Sequence, residues 1–245
     1  MSELPPPPAL DPRCQALYLD FDGTLVDFAP EPDAIVLRPG TVALLERLSG
    51  RLGGALAIVS GRRLADIDRH LSPLALAASG VHGQELRHAP RAPRTTVAPP
   101  ADLDEARRRL GLAIGPDDPL LLEDKGGALV LHFRKQPDQR ERAEALARDA
   151  AEGLDALHVV PGHGIFEVLE RGVSKGRAIA LLSAHPPFAG RVPVYVGDDR
   201  TDEDAIRAAQ QAGGFGVKVG PGETAALYRL PDIDAVHAWI TGAAG

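Results

Sequence analysis

A doubly wound α/β core interrupted by an α+β insertion is the fold this sequence predicts, and three observations lead there. Short apolar runs alternate with amphipathic helical patterns through the first third of the 245 residues. The same alternation returns from residue 172 to the end. Between the two lies a stretch that reads helix, hairpin, helix, hairpin. Strand–helix alternation argues for a parallel sheet wound by crossover helices, and the middle stretch for a separate α+β layer pair.

In the first third, ALYLDF (16–21), ALAIVS (55–60) and LALAAS (74–79) read as buried parallel strands. TVALLERLSG places Val42, Leu45 and Leu48 at helical spacing, and RRLADIDRHL does the same with Leu64, Ile67 and Leu71. In the last third, KGRAIALLSA (175–184) reads as a helix, VPVYVGDD (192–199) as a strand and DEDAIRAAQQA as a helix. GFGVKVG follows as a short strand, and PDIDAVHAWITG closes the chain as a helix with Pro231 near its start. The middle opens with a helix over Asp102 to Leu112. LLLEDKGGALVLHFR (120–134) then pairs two strands across Gly126-Gly127, DQRERAEALARDAAEG forms a charged helix, and LHVVPGHGIFEVLE (157–170) turns at Gly162–Gly164. The expected division is a flexible tail over 1–13, a Rossmann-like core over 14–87 and 172–245, and the insertion over 88–171.

Composition narrows the function. A hydrophobic fraction of 44% with 25% charged residues is that of an ordinary globular protein. A net charge of −7 argues against a nucleic-acid binder held by phosphate contacts. No apolar run approaches the length of a membrane helix, and the start lacks the pattern of a secretory signal, so a cytoplasmic location is expected. Cys14 is the only cysteine, which excludes an internal disulfide.

The chemistry gathers at strand ends. LYLDFDGT ends an apolar run with Asp20 and Asp22, two carboxylates that a strand directs to the same side. Such a pair needs a cation or a proton between them. Asp198 and Asp199 end a later strand, and in open α/β sheets ligands bind beyond the carboxyl ends of the strands. Oxygen ligands with few His or Cys neighbours favour Mg2+. One aspartate can serve as a nucleophile and the other as a general acid and base. Gly23 lets the backbone turn. Ser60, followed by Gly61, ends the second strand where a hydroxyl can bond a phosphate oxygen, and Lys175 opens a helix where an ammonium can neutralise a transferring phosphoryl group.

DFDGT, Ser60, Lys175 and GDD resemble, in order, the four motifs of haloacid-dehalogenase-like phosphatases. The resemblance implies Asp20 as nucleophile, Asp22 as acid/base, and metal ligation by Asp20, the main-chain carbonyl of Asp22 and Asp198, with Asp199 in support. It further implies phosphate contacts from Ser60, Gly61 and Lys175, and an insertion that acts as a cap. EDKGGALVLHFR, PGHGIFEVLERGVSKGRAI, SGRRLADI, GVHGQELR and GDDRTDEDA are similar to the trehalose-6-phosphate phosphatases over about residues 16–218. That similarity implies sugar contacts from Glu123, Lys125 and Glu167, with Arg62, His132 and Arg134 beside them. His163 stands where relatives usually carry Lys, and Leu169-Glu170 where Arg-Pro is usual.

The expected activity is Mg2+-dependent hydrolysis of trehalose-6-phosphate through an aspartyl-phosphate. The alternatives are a capped phosphatase for sucrose-phosphate, a mannosyl-glycerate phosphate or a hexose phosphate, and a sugar-phosphate sensor without turnover. A receiver domain also uses strand-end aspartates and a lysine, but needs no insertion. Lys125 and Arg134 also read as solvated charges and Glu167 as an outer-face residue; His82 reads as a packing or turn residue, and Arg107 to Arg109 as a solvated helix face. Tyr228 and Trp239 read as core or docking residues. No H-x-x-x-H pair points to zinc.

Overall fold

Strands that are apolar on both faces must be covered on both, and that requirement organises the larger part of the chain. The computed structural model describes residues 4–27, 34–162 and 164–244. Its order begins with β1 (Gln15–Leu19), α1 (Thr41–Arg51), β2 (Leu56–Val59), α2 (Leu64–Leu71), β3 (Ala77–Gly80), β4 (Glu85–Arg87) and β5 (Thr95–Thr96). There follow α3 (Asp102–Ala113), β6 (Leu121–Asp124), β7 (Ala128–His132), α4 (Arg140–Ala151), β8 (Leu157–Gly162) and β9 (Ile165–Glu170). The chain ends with α5 (Lys175–Ser183), β10 (Val192–Gly197), α6 (Glu203–Gln211), β11 (Phe215–Val219), β12 (Tyr228–Leu230) and α7 (Ile233–Ala244).

Among the described residues the larger sheet runs β12-β11-β10-β1-β2-β3-β4-β5, parallel from β12 to β3 and antiparallel at the β4–β5 edge. The chain winds outward from β1 through β2 and β3, then returns to the other side of β1 through β10. The switch in strand order therefore lies between β1 and β10, where a doubly wound sheet opens its crevice. Leu19 pairs with Val196 there, so Asp20 and Asp198 leave neighbouring strands at the same end. Amphipathic helices cover the sheet. In α1 the buried face is Leu44, Leu45 and Leu48, one position round from the expected Val42 face, and α2 buries Leu64, Ile67 and Leu71.

Two compact units result, one of residues 1–96 with 174–245 and one of residues 97–173. The expected boundary at 88 falls early because β4 and β5, too short and polar to read as strands, extend the larger sheet at its edge. The segment expected as a free tail is tied down as well. A proline run carries carbonyls without N–H groups, so it can only accept. Pro5 O accepts from Arg229 N at 3.0 Å, Pro8 O accepts from Trp239 Nε1 at 2.9 Å, and Leu10 is buried.

The second unit is a four-stranded antiparallel sheet, β6-β7-β9-β8, with its own core. Leu129, Leu131, Phe166, Val168 and Leu157 pack with Leu103, Ala106 and Leu110 of α3 and Ala143 and Ala147 of α4. The pleat sends alternate residues to the other face, and the register puts Glu123, Val130, His132 and Glu167 there together. Arg109, expected in solvent, donates to the carbonyl of Glu152 at 2.7 Å and so satisfies the end of α4.

Candidate active site

Asp20 follows β1 directly and its main-chain N–H continues the ladder to Val196 O at 2.9 Å, so the strand itself delivers the carboxylate. The side chain is buried. Its Oδ1 accepts from Lys175 Nζ at 2.7 Å, and the same ammonium donates to Asp202 Oδ1 at 2.7 Å. Lys175 is the first residue of α5, whose Ser174 N-cap accepts from Arg177 N at 3.2 Å. That cap fixes where the helix starts and hence where the ammonium sits.

Asp20, Asp198 and Asp202 offer oxygens within 4.8 Å of one another. Burial pushes the Asp20 carboxyl well above the usual carboxylate range, and the charges of Asp202 and Asp198 add to this against the pull of Lys175. Burial and then Asp202 push Asp198 up to about 7. Burial presses Lys175 down, yet Asp20 and Asp202 outweigh it and hold the ammonium above its ordinary value. Three converging carboxylates against that lysine fit a hard divalent cation by donor chemistry, and the raised affinity of Asp20 and Asp198 for protons is what an ion there would offset.

Two glycines make the cluster possible. At Gly23, with φ of 76°, a Cβ would lie 2.3 Å from Asp198 Oδ2. At Gly197 a Cβ would lie 2.3 Å from Asp202 Cγ. Any side chain at either position would occupy the space of a carboxylate. Thr24 Oγ1 completes this edge, donating to Asp198 Oδ1 at 3.2 Å.

Asp22 stands apart from the three. Its two oxygens accept from Arg62 Nε at 2.7 Å and Nη2 at 2.8 Å, a bidentate pair, and the Arg62 guanidinium also lies over the Phe21 ring. Arg62, read from sequence as a sugar contact, is thus engaged with the second aspartate. Ser60 Oγ accepts from Arg62 N at 3.1 Å, and Ser60 O accepts from His82 N at 3.2 Å. His82 is a buried turn residue with φ of 54°, its ring filling the space beside Gly61.

In the second unit, Glu123 Oε2 meets His132 Nε2 at 2.8 Å and Lys125 Nζ meets Glu167 Oε1 at 3.3 Å. The Lys125 side chain is only 10% exposed, so its reading as a solvated charge does not hold. Arg134 runs beside Gly164, where a Cβ would come within 2.8 Å of its own. His163 lies outside the described residues.

Residues 18–234 match the family model described as trehalose-phosphatase. The chain belongs to the trehalose-phosphatase family. It is 37% identical over 233 residues to a probable trehalose-phosphate phosphatase of Sinorhizobium fredii, covering 94% of this chain and 87% of that protein. It is 34% identical over 225 residues to the trehalose-6-phosphate phosphatase of Escherichia coli, covering 92% and 85%. The fold matches the C-terminal domain of Candida albicans trehalose-6-phosphate phosphatase with a TM-score of 0.82 at 21% identity, over 97% of this chain and 98% of that one.

Two residues that meet this cluster escaped the sequence reading. Asp202 is fully buried, accepting from Tyr195 Oη at 2.5 Å and Asp199 N at 2.8 Å as well as Lys175. Its signal was Asp199-Arg-Thr-Asp202, a capping-box spacing that turns the chain back on itself. Lys218 donates to Asp198 O at 2.5 Å and Val219 O at 2.6 Å. Its signal was a lone lysine inside an otherwise apolar strand.

Proposed function

We propose that this chain hydrolyses trehalose-6-phosphate to trehalose and phosphate, with Mg2+ as cofactor, in the cytoplasm. The observation that carries the reading is the meeting of Asp20, Lys175 and Asp198 at one end of the parallel sheet, with Asp22 two residues on from the first. Family membership supports the substrate class, and the names of the relatives support the sugar. Among the described residues no helix is long and apolar enough to cross a membrane.

Lys175 occupies one oxygen of Asp20, so the second oxygen is the nucleophile. It attacks phosphorus in line; the bond from phosphorus to the sugar oxygen breaks, and that oxygen takes the electron pair and a proton from Asp22. A carboxyl whose two oxygens both accept from Arg62 has no room to donate, so the Arg62 pair opens for this step. Asp22, now a carboxylate, takes a proton from water as the water attacks phosphorus, and the bond to Asp20 breaks to release phosphate. Ser60 and the main chain at Gly61 offer donors to phosphoryl oxygens, and Lys175 offsets their charge. Asp20, Asp198 and the Asp22 carbonyl would hold Mg2+, which supplies positive charge to the phosphoryl group when bound. Glu123, Lys125 and Glu167, with His132 and Arg134, would bond the sugar hydroxyls.

Phosphate release from a panel of trehalose-6-phosphate, sucrose-6-phosphate and glucose-6-phosphate, with and without Mg2+, tests this. A Mg2+-dependent preference for the first is expected. Preference for another sugar phosphate would keep the mechanism and reject the sugar assignment. No release from any would favour a sensor.

A further inference from the structure

A lysine on a buried parallel strand has to be accounted for, because taking an ammonium out of water is costly unless it is hydrogen-bonded in full. β11 is buried along its whole length, yet its fourth residue is Lys218, only 5% exposed. Lys218 pairs in register with Gly197 on β10, and Gly197 has no side chain to obstruct it. The ammonium thereby reaches the point where the chain leaves β10, and donates to Asp198 O at 2.5 Å and Val219 O at 2.6 Å. A second bond meets the first across one peptide group. The carbonyl of Asp198 and the N–H of Asp199 belong to the same plane, and that N–H donates to Asp202 Oδ2 at 2.8 Å. The peptide following Asp198 is gripped at both ends, by a cation on its oxygen and an anion on its hydrogen.

We propose that Lys218 is a positioning residue for the metal site: by holding this peptide it sets the direction of the Asp198 carboxylate toward Asp20. Freeing the peptide lets the main chain leaving β10 shift, and the Asp198 Cα shifts with it and carries the side chain. The inference rests on the reading of Asp20 and Asp198 as metal ligands given under the proposed function. Partners that orient a ligand without touching the ion commonly change its affinity by roughly 10- to 100-fold.

Mn2+ binding followed by electron paramagnetic resonance, with Mn2+ alone and no substrate, reads this directly. Lys218→Met keeps the apolar stem of the side chain and removes the donors; its Mn2+ dissociation constant should rise roughly 10- to 100-fold, and Lys218→Arg should recover part of the loss. In an Asp198→Asn background the same Lys218→Met change should add nothing, because the lysine acts through Asp198. Weaker thermal stability with unchanged Mn2+ affinity would make Lys218 merely structural and overturn the inference, as would an equal loss in both backgrounds. If Lys218→Met does not fold, Lys218→Gln, whose amide stops short of the carbonyl, takes its place with the same expected direction. Absence of Mn2+ binding by the unsubstituted protein would instead reject the metal reading itself, and this inference with it.

Discussion

The two units carry acids and cations in contrasting proportion. At the sheet end of the larger unit, Asp20, Asp198 and Asp202 gather beside Lys175, with Lys218 donating to the carbonyls of Asp198 and Val219. On the sheet of the inserted unit two acids meet basic side chains, Glu123 with His132 and Glu167 with Lys125. The first set has a surplus of negative charge that calls for a cation. The second sets its acids against bases one to one in these two contacts, and Glu123, Lys125 and Glu167 are the residues proposed above to bond the sugar hydroxyls.

The largest expected effect comes from deleting the surplus where it reacts. Asp20→Asn should bring phosphate release to background while circular dichroism and melting temperature stay native or better, because it removes a carboxylate that burial disfavours. Retained turnover would remove Asp20 as nucleophile. Asp22→Asn should lower kcat by about 10²–10⁴-fold, the usual span for a general acid–base group, and unchanged rates in both steps would break the assignment. On the sheet of the inserted unit, Glu167→Gln should raise KM for trehalose-6-phosphate by about 10- to 100-fold, from a charged hydrogen bond of about 1.5–3 kcal/mol, with little change on a phosphate ester that carries no sugar. An equal loss on both esters would put Glu167 outside sugar recognition.

The smallest effect concerns pH. A carboxyl raised to about 7 in the folded state keeps a proton that the unfolded chain has already released. The metal-free protein should therefore lose stability as pH rises from the ordinary carboxylate range through about 7. Each kcal/mol corresponds to about 2–4 °C of melting temperature in a chain of this size. Mg2+ should raise the melting temperature more at pH 8 than at pH 6, whereas protein lacking the surplus through Asp198→Asn should show a flatter profile. Equal shifts at both pH values would contradict the electrostatic account of the cluster.

Much of this contrast was legible in the residues. Apolar runs of four or five residues ending in Asp, Ser or Gly-Asp gave away the strand ends, and with them Asp20, Ser60 and Asp198, because a parallel strand buried on both faces leaves its polar residues only at its end. Both hairpins followed from glycine turns. β4, β5 and β12 did not, since strands of two or three residues carry no period to detect. Arg62 was assigned to the sugar, and its bond to Asp22 depends on how β2 and β1 lie side by side, a fact of pairing rather than of local pattern. Asp202 and Lys218 were missed for the same reason: a capping-box spacing and a lone lysine in an apolar strand mark unusual positions, but only the fold carries them against Asp198.

The docked proline segment also determines what light can report about this molecule. Trp239 is the only tryptophan of the chain, and its indole N–H is bonded to Pro8. Its emission is therefore a gauge of whether the N-terminal strap lies on the last helix, and an unfolding curve followed at that wavelength registers the release of the strap along with the melting of the sheet.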